Sequence, residues 1–133
     1  MAQGIAPVKS RGELEAEISS AVIRFKREYM GRGPQEVRTY LIDDMALVRL
    51  KGVLTPAEQQ LAKIEDPHRG RDLIKQFRVE LLEHAREMLE TLVTGILGVR
   101  VVSLHTDIST RTGESLIVFV LEKRPVSKVD PDA

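Results

Sequence analysis

The sequence predicts an α+β domain: a two-layer sandwich in which a four-stranded, mainly antiparallel sheet is packed by a long central helix and an N-terminal helix, in the order α-β-β-α-α-β-β. Three observations carry this reading. Residues 67–94 repeat apolar side chains at helical spacing, an amphipathic segment opens the chain, and strand-like segments lie in pairs on either side of the long run. In that run Ile74, Phe77, Leu81, Ala85, Met88 and Leu92 recur every three or four residues, and Leu82, Leu89 and Val93 widen the stripe, so one broad face is expected to be buried. The helix cannot cover that face alone, which is why a sheet packed on helices follows.

The opening residues 1–12 are weakly patterned and expected to be flexible, 13–124 form one domain, and 125–133, with Pro125 and Pro131, read as a flexible tail. A first helix is expected from Glu13, with Leu14, Ile18, Ala21, Val22, Phe25 and Tyr29 inward. Glu13, Glu15 and Glu17 lie near its start and Lys26, Arg27 and Arg32 near its end, which suits the helix dipole. Gly31-Arg32-Gly33-Pro34 terminates it, because glycine admits a left-handed end and Pro34 has no amide hydrogen to continue the ladder.

Residues 37–43 and 45–51 alternate as two strands joined tightly at Asp43-Asp44. Val37, Thr39 and Leu41 lie on one face of the first strand and Ala46, Val48 and Leu50 on one face of the second. Thr55-Pro56-Ala57-Glu58 is a capping box with proline at the first helical position, starting a short helix expected to reach about residue 64. Asp66-Pro67 restarts the backbone into the long helix. Gly70 lowers helix propensity there by about 1 kcal/mol against alanine, so 67–71 is expected to be irregular. Gly95 and Gly98 bracket the helix end; 99–108 and 115–122 are the last strands, joined by a turn at 110–114, and the final strand, the most continuously apolar, is expected inside the sheet.

Composition narrows the function. Lys plus Arg and Asp plus Glu are 20 each, so no global positive field recruits nucleic acid or an anionic membrane. No cysteine is present, which removes disulfides, thiol catalysis and thiolate metal sites. No apolar run approaches the roughly 20 residues that span a bilayer, and the first ten residues lack the apolar core of a signal peptide. The expected location is the cytoplasm, peripheral to a membrane only through a protein partner. A domain of this size also leaves room for a stabilising contact with further copies, as a dimer or higher homo-oligomer.

Candidate sites are few. Gly31, Arg32, Gly33 and Pro34 can present amides and charge to a partner or an anion, with Arg38, Lys51 or His105 adding to it; the competing reading is a helix terminator. Asp43 and Asp44 read as turn chemistry rather than a cation site, which needs about six oxygens. Ser103, His105 and Asp107 share a strand face, but alternate residues on one strand point side by side rather than converging on a proton-transfer line. His84 reads as a half-buried helix residue. His68-Arg69-Gly70-Arg71 with Lys75 and Arg78 makes a local basic patch, without the stacking aromatics a nucleic-acid surface uses. No catalytic group, cofactor or metal site is expected, and the chain reads as non-enzymatic.

The ordered set of motifs resembles a family of small bacterial proteins, the MpsC-like family, named after a component of a sodium-translocating, membrane-potential-generating system. The features that carry the likeness are Gly31-Arg32-Gly33-Pro34 and Val37, the hairpin at Asp43-Asp44-Met45, Gly52-Val53-Leu54-Thr55 with Glu58 and Leu61, Arg78, Leu92-Val93-Thr94-Gly95, Asp107, and Val118-Phe119-Val120-Leu121. The resemblance implies a cytosolic accessory or regulatory partner of a membrane ion or inorganic-carbon transport system. It implies no catalytic residues. A small-ligand or anion sensor is the alternative function, ahead of a small hydrolase or a nucleic-acid-binding protein.

Overall fold

Capping chemistry fixes where the first helix begins. The Glu13 amide donates to Ser10 Oγ at 3.1 Å while the Ser10 amide donates to the Glu13 carboxylate at 3.2 Å, so helix α1 (Arg11–Met30) starts two residues earlier than apolar periodicity alone suggests. The structure is a computed structural model that describes residues 8–128. After α1 come strands β1 (Glu36–Ile42) and β2 (Met45–Lys51), helices α2 (Pro56–Leu61) and α3 (Pro67–Leu97), and strands β3 (Val101–Ile108) and β4 (Ser115–Leu121). The expected order and class are those found.

The two hairpins join through their second strands into one antiparallel sheet of order β1-β2-β4-β3. β4, the most apolar strand, therefore sits inside, beside β2. Alternation sorts the strands' side chains by face. Ala46, Val48, Ile117 and Phe119 point inward and are essentially fully buried against Ile18 and Val22 of α1 and Ile74, Leu89 and Val93 of α3. The β1–β2 turn puts Asp43 at φ 51°, and Asp44 O accepts the Leu121 amide at 2.8 Å, so both aspartates serve the turn.

Helix α3 departs from the expected pattern. It buries Ile74, Ala85, Leu89, Val93 and Leu97, whereas Phe77, Met88 and Leu92 are 55%, 56% and 37% exposed. The reason is geometric. Steps of four residues advance the contact line by about 40° each, so the buried line curls around a long helix crossing a twisted sheet and leaves a second apolar line outside. Gly70 is helical rather than irregular: a Cβ there would lie 2.1 Å from Leu61 O, so glycine lets the end of α2 approach the first turns of α3. α2 stops at Leu61, short of residue 64.

The described part of the tail is attached rather than free. Pro125 is buried, and the Lys128 amide donates to Lys9 O at 2.9 Å beside a parallel bridge from Ser10 to Lys128. The flexibility expected of 1–7 and 129–133 concerns residues outside those described. Among the described residues, no helix is long and apolar enough to cross a membrane.

Candidate functional site

The terminator turn is held by three neighbouring segments. Gly31 caps α1 in the left-handed region at φ 77°, and Arg32 Nη1 donates to Leu54 O at 3.2 Å. The Gln35 amide bonds Lys51 O at 2.9 Å and the Val53 amide bonds Gly113 O at 3.1 Å, which draws the β3–β4 turn toward the same corner. Between them opens a cleft of about 550 Å³ whose wall includes Arg32, Gln35, Gln59, Lys63 and Arg111. Three cations and no carboxylate line it, so its field favours an anion. Lys63 and Arg111 were not legible as partners of Arg32, because each belongs to a different loop.

Arg38 and His105 lie elsewhere. Both point to the outer face of the sheet, on opposite edge strands and in different cross-strand rows, since Arg38 aligns with Asp107 and His105 with Tyr40. Arg38 sits 3.6 Å from Glu36. Ser103 Oγ is 3.3 Å from His105 Nε2, but Asp107 turns away from the histidine to accept from Lys75 Nζ at 2.9 Å and from the Ile108 amide at 2.8 Å. The Lys75 hydrogen bond, aided by that amide, holds Asp107 below its usual range. The three residues form no relay. His68 and His84 are exposed, contrary to the half-buried reading of His84, which stacks at 6.5 Å on Tyr29. Among the described residues, no group of three or more His, Asp or Glu could hold a metal ion.

The basic patch expected on 68–78 loses its last member to the interior. Arg78 forks onto Glu58, with Nη2 to Oε1 at 2.6 Å and Nε to Oε2 at 2.8 Å, and Nη2 also donates to Val53 O at 2.8 Å. Both side chains are largely buried. Burial pushes the Glu58 carboxyl up, but the Arg78 hydrogen bonds and charge and the Thr55 bonds together carry it below its ordinary value. Lys26 of α1 lies nearby with burial, and then the Arg78 charge, pulling it down to about 8. The Glu58 capping box therefore does a second job, fastening α2 and the 52–55 segment to α3.

The other face of the sheet is covered by none of the described helices. Cross-strand register sets Tyr40, Leu47, Val118 and His105 in one row and Ile42, Met45, Val120 and Ser103 in the next. Tyr40, Ile42 and Leu116 remain 39%, 46% and 37% exposed, and Val102, at the β3 bulge, 54%. Charged Arg38, Arg49 and Asp107 border the apolar rows, an apolar centre with a polar rim.

Fold and surfaces together define a small two-layer α+β domain with both main helices on one face of its sheet and, among the described residues, an apolar face left open. The chain belongs to the MpsC family, described as the Na+-translocating membrane potential-generating system, which matches residues 10–123. It is 43% identical over 113 residues to the uncharacterized protein YbcI of Bacillus subtilis (strain 168), a match covering 85% of this chain and 89% of that protein. To the uncharacterized protein YrhF of the same organism it is 24% identical over 110 residues, covering 81% and 87%. No solved structure matches it.

Proposed function

We propose that this chain is a non-enzymatic, cytoplasmic accessory subunit that docks through the open face of its sheet onto a protein of the membrane system for which its family is named. The observation that carries the reading is the pair of apolar rows, Tyr40-Leu47-Val118 and Ile42-Met45-Val120, with Tyr40 and Ile42 exposed and the other four half-buried, in a domain whose opposite sheet face is packed by α1 and α3. The docked protein would present an apolar patch, and docking would regulate or assemble the transport component. The failure of Ser103, His105 and Asp107 to form a relay supports a non-enzymatic role.

The test is affinity capture of the tagged chain from gently solubilised native membranes. Wild type should recover an integral membrane protein, and Tyr40→Lys with Leu116→Lys, both exposed and so compatible with folding, should lose it. Recovery undiminished by those lysines would overturn docking through this face; loss in Gly33→Ala with Pro34→Ala instead would move the contact to the terminator turn.

One observation favours anion sensing as the second reading: the carboxylate-free cleft of Arg32, Lys63 and Arg111. Inorganic phosphate should then raise the melting temperature of wild type but not of Arg32→Ala with Arg111→Ala. An equal rise in both would remove this reading.

A further inference from the structure

The outer stripe of α3 is organised about its own midpoint. Leu73, Phe77, Leu81, His84, Met88 and Leu92 follow one another at intervals of four, four, three, four and four, which read the same from either end. Leu73, Phe77, Met88 and Leu92 are exposed, as is His84, while Leu81 is half-buried beside Tyr29, whose hydroxyl donates to Leu81 O at 3.3 Å. A two-fold axis crossing the helix between residues 82 and 83 would bring Leu73 onto Leu92, Phe77 onto Met88 and Leu81 onto His84 of an identical, antiparallel helix. Such an interface is isologous, each contact occurring twice.

Charge along the helix supports the same axis. Its first half, to residue 82, carries Arg69, Arg71 and Lys75, with Arg78 buried on Glu58, against Asp72 and Glu80; its second carries Glu83, Glu87 and Glu90 against Arg86 alone. Antiparallel pairing lays basic turns on acidic turns and opposes the two helix dipoles, whereas parallel pairing stacks like on like. Beside Leu92, a groove of about 530 Å³ between α3 and α1, walled by Ala21, Arg24 and Gly95, offers space to the incoming Leu73. The stripe from Leu73 to Leu92 spans about 28 Å of helix.

We propose that a second copy of this chain packs antiparallel on the outer stripe of α3, forming a two-fold dimer centred between residues 82 and 83. The dimer leaves the open sheet face free, so it stands independently of the docking reading.

The absence of native cysteine allows a direct test. Phe77→Cys and Met88→Cys, both at exposed positions, are made in separate full-length chains, checked for folding by circular dichroism, mixed and mildly oxidised. The mixture should yield the disulfide-linked pair of unlike chains, while each variant alone yields little. Strong self-linking of Phe77→Cys would overturn the antiparallel register, and no linking in any combination would overturn the interface. In sedimentation, wild type should reach twice 14.9 kDa and Phe77→Glu should weaken association at least about tenfold. Wild type remaining at 14.9 kDa at every concentration would overturn the dimer.

Discussion

The two faces of the sheet are built from the same four strands, residue by residue, yet they meet opposite fates. Val48 and Phe119 are completely buried beneath α1 and α3, whereas their strand neighbours Leu47 and Val118 are only half-buried, on a face that none of the described helices covers. Packing of the single chain accounts for the first set. It does not account for the second, and apolar character without an internal partner is the signature of a surface made for something else.

Substitutions on the two faces separate these roles, beginning with the largest effect. Phe119→Ala should cost about 3–5 kcal/mol in urea unfolding, the range for emptying an aromatic site in a closed core; a loss near that of an exposed residue would mean that the two faces are not distinct. Glu58→Gln, on the packed side, should cost about 3 kcal/mol at neutral pH, because it strands the Arg78 guanidinium. Since Glu58 titrates below its ordinary value when folded, its contribution is complete above the unfolded pKa of about 4.5 and disappears as pH falls through the folded value. Acid unfolding of wild type should therefore steepen there, while that of Glu58→Gln should be flatter.

Lys26→Met sharpens the comparison from the other direction. The folded lysine sits at about 8 against 10.5 unfolded, so the unfolded chain binds the proton more tightly and stability rises with pH between those values. Because Lys26 is only half-buried, solvent offsets part of that cost. Removing it should stabilise the protein by about 1–2 kcal/mol at pH 7, with the gain shrinking above pH 8. Smallest of all, Arg49→Ala on the open face, which breaks a 2.7 Å pair with Glu114, should change stability by less than about 1 kcal/mol. A larger loss would show that the outer face holds the fold as well as presenting a surface.

Much of this architecture was legible because alternation and capping are local. Thr39 and Leu41 against Tyr40 and Ile42, or Thr55 with Glu58, declare their roles within a few residues. Long-range geometry was not. Phe77, Met88 and Leu92 fit a helical stripe as well as Ala85, Leu89 and Val93 do, and only the path of α3 over a twisted sheet decides which line is covered. Arg78 resembled its basic neighbours until Glu58, twenty residues earlier, was placed against it. Of the candidate contacts, Arg32 keeps a charged neighbourhood, but its companions are Lys63 and Arg111 rather than Arg38 and His105, since topology alone brings those loops together. The capping pair Ser10 and Glu13 was open to the same local reasoning that found Thr55; an unpatterned opening stretch concealed it.

The bond from Lys128 to Lys9 gives the fold a seam. Residues 9 and 128 lie side by side there, so a linker joining residue 128 to residue 9 can close the described domain into a ring without interrupting the sheet. Cutting that ring at the two-residue turn of Asp43 and Asp44 gives a rearranged chain with its new ends at the far side of the first hairpin, from which a reporter would look out beside Ile42 and Met45.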